Sequence, residues 1–339
     1  MKRLTGLKVA AVAAALTLSM TACGGSGSTP ATSAADGGTS AAADSGAKKK
    51  IEILQFVTID ALDDANKGFL KGLADNGYPA DKIQVDQLNP AADAANTQQM
   101  ANTIAQAKPD LVFAIATPAA QAVANVVKDT PILFTAVTDP VDAKLVKSLD
   151  APGGMVTGTS DKNPVKEQLE LLKKLKPEAK SVGIVYSSSE PNSAAQVQWA
   201  KDAAGELGLE IKEQSISASS EVSQAASALN VDAYYVPTDN AVVSSIAALM
   251  KVAESRKALV IGAEAGTVKA GAVATVGINY EKLGEQTGAM AAKVLNGEAK
   301  PESMPVETQT EYDTYVNEKA ASNIGLTVPA DVLSSATKY

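Results

Sequence analysis

From Ile51 almost to the carboxyl terminus, short unbroken apolar runs alternate with longer stretches whose apolar residues recur at helical spacing. Ile51–Phe56, Leu111–Ala116 and Pro131–Ala136 have the length and composition of buried strands, and Ile83–Leu88 reads as a further strand. The spacing between them predicts helices from Asp60 to about Asn76, near Ala95–Ala107, and from Thr117 onward. Asp60, with Asp63 three residues on, reads as an N-cap close to a capping box, and Gly77 ends that helix. After Ala151-Pro152-Gly153-Gly154 the alternation begins again. Strands are predicted at Met155–Thr159, Ser181–Tyr186, Glu210–Gln214, Ala233–Val236, Leu259–Gly262 and Val273–Asn279. Helices fall at about Pro164–Leu175, Pro191–Leu207, Ser219–Leu229 and Asp239–Arg256. Such alternation means parallel sheets with right-handed crossovers. Two blocks predict two doubly wound α/β lobes, the first 51–138 with about 280–300, the second about 139–279 with 301–339. The helix Tyr280–Leu295 is thereby assigned back to the first lobe. The tail from Pro305 reads as one strand and a short helical finish.

The stretch Leu111–Lys128 places a strand end directly against a helix start. Thr117 fits the N-cap and Pro118 the first helical position, where no N–H is missed. Unpaired amides near Ala119 and the positive end of the helix dipole make a seat for a small carboxylate. Three further strand ends carry small polar residues: Thr138-Asp139, the Ser187-Ser188-Ser189 to Asn192 turn, and Thr238-Asp239-Asn240. Ligands of open parallel sheets gather outside the carboxyl ends of the strands. Two facing sheets would bring these four turns to one cleft. Asp239 has two readings: it caps its own helix, or it faces the cleft and pairs with an ammonium group. A helix N-terminus for a carboxylate and an Asp for an ammonium form the polar signature of an α-amino acid. Phe56, Phe113, Phe134, Tyr186 and Tyr235 lie in strands and read as core. Trp199, mid-helix, reads as a packing residue.

Composition narrows the chemistry. The formal net charge is −8, which argues against nucleic acid as a partner. The chain of 339 residues contains no histidine, so Ser-His-Asp and Cys-His catalysis and His-ligated zinc are excluded. Its single cysteine, Cys23, permits neither a disulfide framework nor a thiolate metal site. Nothing calls for a metal or a cofactor. Lys2, Arg3 and Lys8 precede the apolar run Val9–Leu18, which is too short to span a bilayer and ends in Met20-Thr21-Ala22-Cys23. Residues 1–22 therefore read as a signal peptide with a lipobox-like end, and Cys23 as the lipidated residue. Residues 23–50 read as a flexible tether, since Gly24–Ala47 is almost entirely Gly, Ser, Thr, Ala and Asp. The folded part would then sit outside the cell, anchored to the membrane.

The lipobox together with IATPAAQA, FTAVTDPV, YVPTDNAV and GINYEKLGEQTGAMAAKVLNG resembles the ABC-transporter substrate-binding family typified by TrpX-like lipoproteins. The likeness runs from Ile51 to the end. It implies a type I periplasmic-binding-protein fold with three hinge crossings. It also implies an aromatic amino acid, tryptophan first, as ligand, an ABC permease as membrane partner, and a monomer without catalytic activity. By analogy, the turns at Thr117–Ala119 and Thr138 would hold the ligand's carboxylate and ammonium, with an acid at the Asp239 turn completing the ammonium site. Many relatives carry His-Pro at the first βα turn, where this chain has Thr58-Ile59-Asp60. The candidate ligand-binding set is Thr117, Pro118, Ala119, Thr138, Asp139, Ser187, Ser188, Ser189, Asn192, Thr238, Asp239 and Asn240, with Asp60 and Glu264 near other strand ends. The alternatives are a receptor for a branched-chain amino acid or a nucleoside, a ligand-sensing partner of a signalling protein, and an extracytoplasmic enzyme. The enzyme would need a carboxylate pair such as Asp60, Asp139 or Glu264, a Ser/Lys pair, or a bound metal.

Overall fold

The computed structural model describes residues 47–339, so the expected signal peptide and Cys23 lie outside the described residues. The chain first lays down β1 (Lys49–Gln55), α1 (Asp60–Asp75), β2 (Ile83–Leu88), α2 (Ala94–Ala107), β3 (Leu111–Ile115), α3 (Thr117–Val126), β4 (Ile132–Thr135) and β5 (Val156–Ser160). A second run follows with α4 (Val165–Leu175), β6 (Ser181–Ser187), α5 (Pro191–Ala204), β7 (Glu210–Ile216), α6 (Val222–Ala228) and β8 (Ala233–Val236). It continues through α7 (Asn240–Ser244), α8 (Ile246–Ser255), β9 (Leu259–Gly262), α9 (Ala265–Lys269) and β10 (Ala274–Gly277). After these come α10 (Tyr280–Leu295) and β11 (Glu307–Thr308), then β12 (Asp313–Val316), α11 (Glu318–Asn323), α12 (Ala330–Leu333) and β13 (Ala336–Lys338).

Two sheets result, ordered β11-β5-β4-β3-β1-β2 and β13-β12-β10-β9-β8-β6-β7. Their pairings are parallel except for β10 with β12. Because β5 and β11 join the first sheet while β6–β10 and β12 join the second, and α10 packs on α1, the chain crosses between sheets three times. This is the α/β architecture of the periplasmic-binding-protein type. Central strands are apolar on both faces, as β3 shows with five fully buried residues, Leu111 to Ile115. Phe69 of α1 stacks on Phe113 at 3.6 Å between ring centroids, tying helix to sheet. In the second lobe Leu169, Leu172 and Tyr235 fill one face of the sheet, and Tyr234, Val236 and Leu249 the other. Trp199 packs half-buried against the first of these faces, with the Lys162 ammonium 4.9 Å from its ring centroid.

The return helix is held by glycines. A Cβ on Gly284 would lie 2.0 Å from the Ala65 carbonyl oxygen, and one on Gly68 would lie 2.0 Å from that of Glu281. Gly72 and Gly288 meet the opposite backbone in the same way. Spaced four apart on each helix, these glycines form a face without side chains on which two backbones touch. Lys67–Glu281 at 3.0 Å and Lys71–Glu285 at 3.1 Å close the exposed rim.

Several expectations need correction. The strand at 156–160 belongs to the first sheet, through Ile132↔Val156, so the loop at Ala151–Gly154 lies within a lobe. β11 in the 301–339 tail also joins the first sheet, and the tail holds three strands instead of one. The helix expected over Asp239–Arg256 breaks at Ser245 into α7 and α8, and α9 was not anticipated. The tether ends earlier than residue 50, since Lys49 already pairs with Ile83 in β1. Asp60 is the first helical residue and not the cap; Ile59 holds the N-cap position and no side chain caps that end.

Candidate functional site

The carboxyl ends of the two sheets face each other across a narrow cleft whose empty space, part of it open to solvent, is about 330 Å³. The first sheet contributes Ala116 after β3, Ala136 after β4 and Asp161 after β5, and the second contributes Asn192, Thr238, Asn240 and Glu264. Ile59, Ala61 and Leu62 at the start of α1, with Val243 of α7, give it an apolar side, and Tyr280 opens α10 at its edge. Two of the backbone positions here are unusual: Ala116 has φ 82° and Ala136 has φ 53°. Alanine in the left-handed region is strained, and strain of this kind persists where surrounding structure fixes a ligand-facing turn.

The start of α3 is left chemically open. Ala116 takes the N-cap position, no side chain caps the helix, and Pro118 lies in the first turn. The Thr117 hydroxyl therefore does not cap its own helix as expected; it is buried and has no hydrogen-bond partner among the described residues. Thr117 and Ala119 carry first-turn amides, which have no intrahelical acceptor. No acidic residue occupies this turn. Three other helices that begin near the cavity are already neutralised. α1 carries Asp60 and Asp63, α7 is capped by Asp239, and α9 by Glu264. The start of α3 is thus a helix end suited to a small anion.

Asp161 is the complementary feature. It is buried, lines the cavity, and receives hydrogen bonds from the hydroxyls of Thr138 (2.9 Å) and Tyr280 (2.7 Å). Neither partner is charged. Burial pushes its carboxyl above the usual range, and the two hydroxyls only partly oppose the shift. An ammonium group beside it would supply the missing counter-charge.

The acids of the second lobe are committed elsewhere. Asp239 is fully buried and its oxygens receive the Val242 amide (2.8 Å), the Ser187 amide (2.6 Å) and the Ser193 hydroxyl (2.7 Å). It caps α7, and it does not line the cavity. Glu190 reaches across to the same helix start, receiving the Asn240 and Ala241 amides at 3.1 Å each and the Asn240 side-chain amide at 2.6 Å. Burial first and the nearby Asp239 carboxylate second push Glu190 up to about 7. Asp239 and Glu264 are raised too, with burial the main cause. Between the ordinary value of 4.5 and about 7 the folded protein holds a proton on Glu190 that the unfolded chain has lost. Stability is therefore expected to fall as pH rises through that window and to level off above it. Urea midpoints measured from pH 4.5 to 8 check this; Glu190→Gln is expected to flatten the slope.

The model of the family described as ABC transporter substrate binding protein matches residues 50–339. The chain belongs to that family. This substrate-binding protein is 47% identical, over 278 residues, to the tyrosine-binding protein of Clostridioides difficile (strain R20291), covering 81% of this chain and 80% of that one. A Streptococcus pneumoniae ABC domain solved in complex with L-Trp aligns with a TM-score of 0.83 at 38% identity, covering 86% of this chain and 99% of that one. The ligand-free, open structure of a Clostridium difficile substrate-binding protein with adhesive properties has the same coverage, 86% and 99%, and is 46% identical, yet its TM-score is only 0.67. The chain with the higher identity is the poorer match in shape, so the two lobes here stand in the closed arrangement. Contacts across the cleft agree. The Thr138 and Thr238 hydroxyls are 3.5 Å apart, and Lys269 at the end of α9 reaches Asp60 of α1 at 3.2 Å. Among the described residues no helix is long and apolar enough to cross a membrane. Family members work outside the cytoplasm and bind small molecules for ABC transporters.

Of the residues expected at the site, Asn192, Thr238, Asn240 and Glu264 line the cavity. Thr138 donates its hydroxyl to Asp161, and Thr117, Pro118 and Ala119 form the helix start behind Ala116. Asp139 turns away to accept the Val141 and Asp142 amides. Ser187 binds Asp239, while Ser188 and Ser189 are exposed. Asp60 lies at the rim, half-exposed, on Lys269. The sequence reading missed Asp161 and Tyr280. Ser160-Asp161 has the same polar strand-end pattern as Thr138-Asp139, the signal in the sequence that points to it.

Proposed function

We propose that this substrate-binding protein takes an aromatic amino acid, tyrosine or tryptophan, into the cavity between its lobes and hands it unchanged to an ABC permease. The observation that carries the reading is Asp161, a buried carboxylate on the cavity wall bonded only to neutral hydroxyls. In this pose the ligand ammonium sits on Asp161, its carboxylate on the Thr117 hydroxyl and the first-turn amides of α3, and its ring against Ile59, Leu62 and Val243. Ligand that touches both lobes only when they are closed shifts the population toward closure. The relatives named above support the ligand class, one being a tyrosine-binding protein and another solved with L-Trp. Lipidation at Cys23 would hold the receptor beside the permease, as a monomer.

A thermal-shift screen with the twenty amino acids, nucleosides and sugars tests this, because binding stabilises the folded state by mass action. Tyrosine or tryptophan is expected to give the largest rise. Thr117→Val is expected to weaken that ligand by about 3- to 10-fold, the net loss of one hydrogen bond. A sugar or nucleoside giving the largest rise overturns the reading.

A further inference from the structure

The cavity is rich in acceptors and poor in donors. Asp161 and Glu264 line it, and among the described residues no Lys or Arg does. Lys269, at the mouth, is held by Asp60 at 3.2 Å. Asn192 adds an independent sign of what the site lacks. It is only 4% exposed, and its side-chain N–H group donates to Glu190 Oε2 at 3.2 Å and to the Thr238 carbonyl at 3.0 Å. Those two acceptors fix which way the amide faces, and its Oδ1 is left buried with no partner among the described residues. A buried carbonyl oxygen in that state needs a donor. Of the side-chain donors that line the cavity, the Tyr280 hydroxyl goes to Asp161 and one N–H of the Asn240 amide to Glu190, while the Thr238 hydroxyl, which accepts from Gln196 at 2.8 Å, keeps its own hydrogen. For a ligand carboxylate there remain that hydroxyl and the start of α3.

We propose that the cavity also takes aromatic primary amines that lack a carboxylate, tyramine and tryptamine being the simplest, and that the ammonium group is the main feature it selects. The proposal rests on the reading of this cavity as an amino-acid site. A helix N-terminus acting on a carboxylate accounts for about 30-fold in affinity at most. Removing the cation from a buried carboxylate accounts for about 100-fold or more. The amine is the part the ligand cannot do without, and the carboxylate is secondary.

Isothermal titration of the full chain with tyrosine, tryptophan, tyramine, tryptamine and 3-(4-hydroxyphenyl)propionate tests this. Each amine is expected within about 100-fold of its parent amino acid, and the propionate at least about 100-fold weaker than tyramine. Asp161→Asn is expected to weaken tyramine and tyrosine by the same factor. If an amino acid binds but its amine is weaker by more than that margin, or the propionate matches tyramine, the proposal fails and the amino-acid reading stands. If the amines bind and the amino acids do not, the amino-acid reading fails and the proposal, which rests on it, fails with it. If none binds, both fail.

Discussion

Asp161→Asn is expected to lower affinity for tyrosine or tryptophan by about 100- to 1,000-fold, the scale of leaving one member of a buried ion pair without its partner. The fold should survive. Asp161 lies in a site where burial already disfavours its charge, so neutralising it removes an electrostatic cost from the unliganded protein. Titration calorimetry for affinity and a urea midpoint for stability separate the two effects. Asp239→Asn is the informative contrast, because its carboxylate is engaged by three donors away from the cavity. That variant is expected to lose stability, with the folded fraction still binding ligand. Unchanged affinity in Asp161→Asn would sink the assignment of the ammonium seat.

The second large effect concerns the helix pair that fixes one edge of the site. Gly284→Ala and Gly68→Ala each place a methyl group 2.0 Å from a carbonyl oxygen on the facing helix. Backbone atoms cannot swing aside as a side chain can, so α1 and α10 must separate along their length. A loss of about 3 kcal/mol is expected for either variant, at the upper end of overpacking effects, read from the urea midpoint. Gly205→Ala is the control, since a Cβ there meets nothing within 4 Å. It should be neutral or slightly stabilising. The helix pair also bears on binding. Tyr280, the first residue of α10, holds Asp161, and Leu62 near the start of α1 lines the apolar side of the cavity. A stable fraction of Gly284→Ala that bound ligand with unchanged affinity would show that the site tolerates movement of α10.

Local pattern was enough for the elements. The segments Ile83–Leu88 and Ala233–Val236 became strands with those bounds, and Tyr280–Leu295 became the helix expected. Alternation of such elements dictated two parallel sheets, and the rule that ligands gather at carboxyl strand ends led to the turns at Asn192, Thr238 and Asn240. The family was legible as well, in the motifs around Thr117, Thr138 and Asp239. Which residue does what was not. Asp239 and Asp161 both follow a hydroxyl residue at a strand end, and nothing in the chain near either says which one turns inward. Tertiary structure decided it, because Ser187 and Ser193 converge on Asp239 from a neighbouring strand and helix, whereas Asp161 meets only two hydroxyls at the cavity wall. Sheet membership of Val156–Ser160 was hidden for the same reason, since a strand's own residues do not encode its neighbour. Sequence determines what each segment can form through local sterics and periodicity. Which buried polar group is left over for a ligand depends on partners far along the chain, and only the folded molecule brings them together.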